Sequence, residues 1–249
     1  MKVLKYKKNR QGKYVVYLDD GRELILYEEV ILKFNLLLTK EVEECQMEEI
    51  NNVNFEYDVY YVALKSIQNR FKSTSDLISF LKNKEYPMDL IEKAIDKLTK
   101  QGYLNDRSFA KSYINSQMNT TIHGPNRIIG DLLNKKIDSD IVYEEIEVFS
   151  EDIQEEKIRK IIDKGIKSNR SRGGVILKNK IVDDLKNNGY EFSIISRVIS
   201  EFDFSNDSAL AKKEYDKLYK KYSSKYSGYE LKNKIREKLF MKGLIYEEE

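Results

Sequence analysis

The first part of the chain alternates apolar and polar residues with a period of two, which is typical of strands. Val3–Tyr6, Tyr14–Leu18 and Glu23–Tyr27 form three short runs, separated by the polar turns Asn9–Gly12 and Asp19–Arg22. Connections of this length that contain Asn, Asp and Gly favour hairpins. The pattern therefore predicts a small antiparallel sheet, and a sheet of this size needs a cover on one face.

A helical spacing of apolar residues follows the third strand. We expect a covering helix over Glu28–Leu38, whose inward-facing side chains are Val30, Ile31, Phe34 and Leu38. The acidic stretch Thr39–Asn54 is predicted to be a connector with one short helix.

Beyond residue 54 the pattern is helical and repeats. A leucine followed by a short polar turn recurs at spacings of 51, 53 and 54 residues, at Leu81, Leu132, Leu185 and Leu239. The run LKNKI occurs at Leu177–Ile181 and again at Leu231–Ile235, and Asn206-Asp207 echoes Asn105-Asp106. These coincidences together indicate a duplicated unit.

Each unit is predicted to contain three helices, except that the last is incomplete. The predicted helix bounds are 57–70, 74–85 and 88–101; 105–118, 125–136 and 138–149; 151–168, 174–188 and 191–202; and 206–222 and 228–242. The domains are then a strand-rich element at 1–54, repeats at 55–102, 103–149 and 150–203, and an incomplete repeat at 204–249. Stacked units share a continuous core. We therefore predict a mainly α fold of tandem three-helix repeats in an elongated curved rod, with a small N-terminal antiparallel β-sheet. Because Glu85 and Lys136 stand where later units have Gly189 and Gly243, the turns are expected to differ in geometry.

The stretch Gly102–Lys136 carries the clearest helix signals. Asn105 or Asp106 can cap one helix, and Pro125 suits the first position of the next. The predicted buried stripes are Phe109, Ala110, Tyr113 and Ile114 in the first helix and Ile128, Ile129, Leu132 and Leu133 in the second. Tyr103, Phe109 and Tyr113 are assigned to the core rather than to a binding surface.

The same stretch resembles a family signature. The matching runs are GYLNDRSFA at Gly102–Ala110, GPNRI at Gly124–Ile128 and LNKKI at Leu133–Ile137. They are similar to the signature of the RecX family, bacterial regulators of the RecA recombinase. RFKSTSDL at Arg70–Leu77 resembles the family element R-x-R-S-x-x-E-L, with Lys72 for the second arginine and Asp76 for the glutamate.

The resemblance, over about residues 57–245, implies both fold and function. It implies three-helix repeats in a bent rod that binds in the groove of the RecA–single-stranded DNA filament. The protein would limit filament growth, ATP hydrolysis and strand exchange, and so act in homologous recombination, DNA repair and the SOS response.

Composition excludes several classes of protein. Charged residues make up 35% of the 249 residues, and no apolar run approaches the roughly 18 residues of a membrane span. The N-terminus lacks the apolar core of a signal peptide, and the single cysteine, Cys45, cannot form an internal disulfide. We expect a cytoplasmic monomer without a membrane partner.

Net charge is only +2, but the charges are grouped. Glu41–Leu64 has seven acids and no base, Ile137–Glu156 has nine acids and no base, and Lys157–Lys180 has nine bases and one acid. Solvated helix faces are one explanation, and a polarised surface is the other.

No catalytic set is evident. The phosphate-binding patterns GxxxxGK[ST] and GxGxxG are absent, His123 is the only histidine, and Cys45 lies in an acidic stretch that raises a thiol pKa. We therefore expect a binding protein rather than an enzyme, with no cofactor and no metal.

Bases recur in the second helices of the units. Arg127, Lys180 and Lys234 each precede an isoleucine, and Lys232 lies nearby on the last of these helices. Stacked units would bring such bases to one edge, although lysines also flank apolar stripes on any soluble helix. The candidate contacts with the RecA filament or DNA are Arg127, Lys135, Arg170, Arg172, Lys178, Lys180 and Lys234, together with Arg70 and Lys72. The alternative is a protein that binds single- or double-stranded nucleic acid directly, since tyrosines lie among lysines over Lys212–Tyr229.

Overall fold

A computed structural model describes residues 1–205 and 208–246. They form two compact units, residues 1–109 and the residues from 110 onward. The fold is mainly α-helical, with one small sheet near the N-terminus, as predicted.

The sheet is antiparallel, and its strands β1 (Val3–Lys8), β2 (Tyr14–Leu18) and β3 (Glu23–Leu26) lie in that order. Alternate side chains of β2 and β3 point into a core, which confirms the period-two pattern. The buried residues of these two strands are Val16, Leu18, Leu24 and Leu26.

The cover of the sheet is two helices, α1 (Glu28–Lys33) and α2 (Leu36–Thr39), rather than one. Asn35 adopts a left-handed conformation (φ 50°) between them. This break changes the helical phase, so Leu36 is buried and Leu38 is 83% exposed. The predicted inward orientation of Leu38 was therefore wrong.

The acidic connector is largely helical. A 3-10 turn at Glu44–Gln46 leads directly into α3 (Met47–Asn69), which begins ten residues before the predicted start at 57. Ile50 and Val53 join the core of the sheet, while Glu48 and Glu49 lie in the first turn, where the helix dipole favours negative charge.

Two more helices complete the first unit, α4 (Thr74–Lys82) and α5 (Met88–Lys100). The Ser73 hydroxyl caps α4 by accepting a hydrogen bond from the Asp76 N–H at 3.1 Å. The Thr74 N–H donates to the Asp106 carboxylate at 2.8 Å, so a second first-turn donor of α4 is also satisfied.

The remaining helices follow the predicted order. They are α6 (Asp106–Thr120), α7 (Pro125–Asn134), α8 (Ser139–Ile146), α9 (Glu151–Ser168), α10 (Gly174–Asn187), α11 (Phe192–Ile199), α12 (Ser208–Tyr222) and α13 (Gly228–Phe240). Asn105 caps α6 by accepting from the Ser108 N–H at 2.9 Å. Asn206 and Asp207, which belong to the predicted repeat echo, lie outside the described residues, and the repeat boundaries themselves stay a prediction.

The predicted stripes of α6 and α7 are mostly correct. Phe109, Ala110, Ile114, Ile128 and Leu132 are buried. Tyr103 and Leu133 are exposed instead. Tyr103 follows the turn that ends α5, and Leu133 lies about 100° around α7 from the buried Leu132.

The four repeated turns have one geometry, against expectation. Glu85, Lys136, Gly189 and Gly243 all have left-handed φ values, of 62°, 58°, 88° and 71°. In each turn the N–H of the next residue donates to the carbonyl of the turn leucine, which is the bond of a Schellman motif. Glu85 and Lys136 are exposed, so their side chains fit despite a backbone cost of about 1–2 kcal/mol.

Asp58 of α3 connects the sheet to the helices of the first unit. Its carboxylate accepts hydrogen bonds from the Lys13 ammonium at 2.7 Å, the Tyr27 hydroxyl at 2.9 Å and the Tyr86 hydroxyl at 3.0 Å. Burial raises the pKa of Asp58, but the bonds from Lys13 and Tyr27 outweigh it and hold the pKa below its ordinary value.

Replacing Asp58 by Asn should lower the free energy of unfolding by about 2 kcal/mol at pH 7, because charge-assisted hydrogen bonds are lost. Since the folded-state pKa is depressed, this difference is fully present above the unfolded pKa of about 4 and shrinks as pH falls below it. Urea unfolding between pH 3 and 7 measures it. The control is Asp96→Asn, which removes only an exposed pair with Lys100 and should change stability by less than about 0.5 kcal/mol. Equal losses in the two variants would contradict the role of Asp58.

Candidate interaction surface

Helices α7 and α10 meet end to end. The Gly124 N–H at the start of α7 donates to the Asn188 carbonyl at 2.7 Å, and the Asn126 N–H donates to the Gly189 carbonyl at 3.1 Å. The N–H groups of a first helical turn have no partner within their own helix. Here they donate to the carbonyls that end another helix. The positive end of the α7 dipole therefore faces the negative end of the α10 dipole, which is favourable. We call this contact the first joint.

Helices α10 and α13 form a second joint of the same kind. The Gly173 N–H before α10 donates to the Lys242 carbonyl after α13 at 2.8 Å. A Cβ atom on Gly243 would overlap the Gly173 carbonyl, and one on Gly189 would overlap the Arg127 amide. Glycine is therefore required at both joints by close approach as well as by φ.

The three predicted second-helix bases lie at equivalent positions. Each is five residues before its turn leucine and directly before a buried isoleucine, as the pairs Arg127/Ile128, Lys180/Ile181 and Lys234/Ile235 show. Arg127 is exposed beside the first joint. Whether these bases form one edge that binds a partner stays a prediction.

Two of these bases have acidic neighbours on their own helix. The Lys180 ammonium lies 3.3 Å from the Asp184 carboxylate, and that of Lys234 lies 2.8 Å from Glu237. The hydrogen bond with Glu237 raises the pKa of Lys234. Local pairing therefore reduces the net positive charge at both positions.

The other predicted bases of the second compact unit lie at the end of α7, on α10 or in the loop after α9. Lys135 is the C-cap residue of α7, and Lys178 is half-buried on α10. The Arg170 guanidinium donates to the carbonyls of Lys167 at 2.9 Å and Asn169 at 3.1 Å. It thus caps the end of α9, while Arg172 is exposed.

Arg70 and Lys72 belong to the first compact unit. Arg70 is exposed after the end of α3. Lys72 is half-buried, and its ammonium lies 5.2 Å from the centroid of the Phe80 ring, within the range of a cation–π contact.

Part of the predicted basic block is structural. The Lys157 ammonium donates to the carbonyls of Met118 at 2.5 Å and Thr121 at 3.0 Å, and burial lowers the pKa of Lys157. Arg159 pairs with Glu155 and Glu201, each at 2.9 Å. These two bases hold α9 in place through contacts within the chain.

Two rows of bases lie on or beside α9 and α12, within the basic block Lys157–Lys180 and the segment Lys212–Tyr229 that the sequence analysis named, although of their members only Arg170 was singled out as a contact. The α9 row is Lys160, Lys164, Lys167 and Arg170, and the α12 row is Lys212, Lys213, Lys217 and Lys220. Each row lines a shallow groove with a single acid, Asp163 or Asp216. The signal was present as the pattern K-x-x-D-K-x-x-K, which recurs 53 residues apart.

His123 and Cys45 each contact a side chain of their own segment. The His123 Nδ1 atom lies 3.1 Å from the Gln117 side-chain oxygen, and the hydrogen bond with Glu43 raises the pKa of the exposed Cys45 thiol. Within residues 1–205 and 208–246, no group of His, Cys, Asp and Glu has the arrangement of a metal site. Over the same residues, no helix has the length and apolar character that crossing a membrane requires.

Fold and surface together define a class, a helical repeat protein with a small N-terminal sheet and recurring exposed bases. The model of the RecX second three-helix domain matches residues 105–144. The Regulatory protein RecX of Streptococcus sanguinis strain SK36 is 30% identical over 249 residues, covering 98% of this chain and 95% of the relative. That of Lactococcus lactis subsp. cremoris strain MG1363 is 30% identical, covering 92% and 88%.

Solved structures agree. A crystal structure of regulatory protein RecX is 25% identical with a TM-score of 0.68, covering 80% of this chain and all of the other. The structure of RecX from Lactobacillus salivarius is 26% identical with a TM-score of 0.55, covering 59% and 95%. The chain belongs to the RecX family.

Replacing Gly189 by Ala should lower the free energy of unfolding by about 3 kcal/mol, from a positive φ and from overlap with Arg127. Gly228→Ala is the matched control, because Gly228 also has a positive φ but a Cβ atom there would meet no other atom within 4 Å. The control should cost only about 1 kcal/mol. Thermal and urea unfolding of the full chain measure both losses, and equal values would show that the first joint is not closely packed.

Proposed function

We propose that this protein is a negative regulator of RecA that binds in the groove of the RecA–single-stranded DNA filament. Its occupancy limits filament growth, ATP hydrolysis and strand exchange. Membership of a family whose relatives are named Regulatory protein RecX is the observation that carries the proposal. Recurrent bases on a repeated helical scaffold support it.

Repetition suits a polymeric partner. The proposed repeats span 55–102, 103–149, 150–203 and 204–249, so one chain offers similar helices several times over. Contacts that are weak singly add through effective concentration when a second contact becomes intramolecular. The proposed contacts are Arg127, Lys135, Arg170, Arg172, Lys178, Lys180 and Lys234, with Arg70 and Lys72 as further members.

The proposed mechanism needs no chemistry from this chain. A protein that bridges neighbouring RecA subunits can slow ATP hydrolysis by holding the filament in one state, since a ligand shifts an equilibrium by its differential affinity for the two states. Positive side chains facing an acidic surface speed the encounter and set the orientation.

The direct test is a titration of the whole protein into cognate RecA assembled on single-stranded DNA. ATP hydrolysis and strand exchange should both fall as the protein approaches the concentration of RecA. An unchanged ATPase rate at several-fold excess would refute the proposal.

The contact residues are tested by the variant Arg170→Glu/Arg172→Glu/Lys180→Glu. The concentration that gives half of the ATPase effect should rise about tenfold, which corresponds to about 1.4 kcal/mol of binding free energy. The control reverses three exposed bases outside the candidate set, Lys5→Glu/Lys82→Glu/Lys111→Glu. Full activity of the first variant would reject these contacts while leaving the RecA partner in place.

A further inference from the structure

The α9 and α12 rows occupy the same register on two helices. At an offset of 53 residues, Lys160, Lys164 and Lys167 coincide with Lys213, Lys217 and Lys220. Each row lines a groove of similar size, 510 Å³ on α9 and 530 Å³ on α12. The second compact unit therefore presents a similar row of lysines twice, once on α9 and once on α12.

When α9 and α12 are compared at this offset, the exposed charged residues are the ones that are identical, whereas the other residues differ. Between 155–168 and 208–221, the only identical residues at this offset are the three lysine pairs and the aspartate pair Asp163/Asp216. Inward positions differ, since buried Ile158 corresponds to Ala211. Common ancestry alone would be expected to retain packing residues at least as well as exposed lysines.

Most of these lysines have no acidic partner. Lys160 pairs with Glu156 at 2.5 Å and Lys217 with Glu214 at 3.6 Å. For Lys164, Lys167, Lys213 and Lys220 no ion pair is found among residues 1–205 and 208–246. These four lysines thus differ from the second-helix bases Lys180 and Lys234, whose charges are paired.

The chemistry of the rows suits a phosphate backbone. Ammonium groups bind phosphate as point charges without reading a base sequence. Positions 160, 164 and 167 span about 10 Å of helix, enough to meet more than one phosphate of a strand. Beside the α12 row, Tyr219 is 46% exposed and offers a face on which an unpaired base can stack.

We propose that the α9 and α12 rows bind the phosphate backbone of single-stranded DNA, with Tyr219 stacking on a base. Apart from Arg170, which belongs to both sets, the residues of this site differ from those assigned to the RecA filament. It goes beyond the RecA proposal and does not depend on it, because the test contains no RecA.

The test is fluorescence anisotropy of a labelled 30-nucleotide oligo(dT) titrated with the full chain at several salt concentrations. The variant Lys164→Ala/Lys167→Ala/Lys213→Ala/Lys220→Ala removes four unpaired charges and places alanine in helices, where it is well tolerated. Each lost phosphate contact should reduce the slope of log affinity against log salt by about 0.7, and four contacts by about 2.8. Tyr219→Ala should weaken binding about fivefold or more at constant slope.

The control removes the same charge elsewhere, as Lys5→Ala/Lys7→Ala/Lys82→Ala/Lys111→Ala, and should keep the slope within about one unit of the wild-type value. Circular dichroism confirms that both variants fold. No measurable binding by the wild-type chain, or the same slope in the row variant and the control, would overturn the assignment. Loss of oligonucleotide binding with an unchanged effect on RecA would support it and leave the proposed function intact.

Discussion

The arrangement of the second unit depends on two joints at which the N-terminus of one helix binds the C-terminal turn of another. In the first joint, Gly124 binds the Asn188 carbonyl at 2.7 Å, and in the second, Gly173 binds the Lys242 carbonyl at 2.8 Å. Each joint satisfies donors and acceptors that a helix alone leaves unpaired, and each aligns helix dipoles favourably. Because the close approach leaves no room for a side chain at Gly189 or Gly243, the spacing of α7, α10 and α13 is determined by backbone contacts.

In the proposed function, the joints matter because they determine how a surface is repeated. When a joint recurs with the same turn geometry, equivalent helix positions in successive repeats have the same spatial relation. A base at one position can then recur at the same position of the next repeat. The structure separates these bases by role. Lys157 and Arg159 hold α9 through internal contacts, whereas the unpaired lysines of the α9 and α12 rows face solvent. Counting charges along the sequence did not distinguish the bases with internal contacts from the unpaired surface lysines.

Much of the fold was predictable because its signals are local. Alternation at Tyr14–Leu18 and the recurrent turn leucines each specify an element without reference to the rest of the chain. Three features were missed for physical reasons. The start of α3 at Met47 was missed because its first-turn acidic residues were assigned to a connector, although negative charge favours the first turn of a helix. The left-handed conformation of Asn35 divides the covering segment into two helices, so that Leu36 rather than Leu38 is buried. The common turn geometry was missed because Lys136 adopts a left-handed conformation where its side chain is exposed. In the candidate surface, the α9 and α12 rows were available in the sequence as a recurring K-x-x-D-K-x-x-K pattern, and the structure shows that each row lines one exposed groove.

Amide hydrogen exchange of Gly124 and Gly173, measured by NMR, tests the joints most directly. First-turn amides of a helix ordinarily exchange quickly because no carbonyl of their own helix protects them. If the joints hold the second unit together, these two amides are protected to the level of the unit's core, near that of the Ile181 amide within α10. Exchange as fast as that of the first-turn amides of α13 would contradict the account.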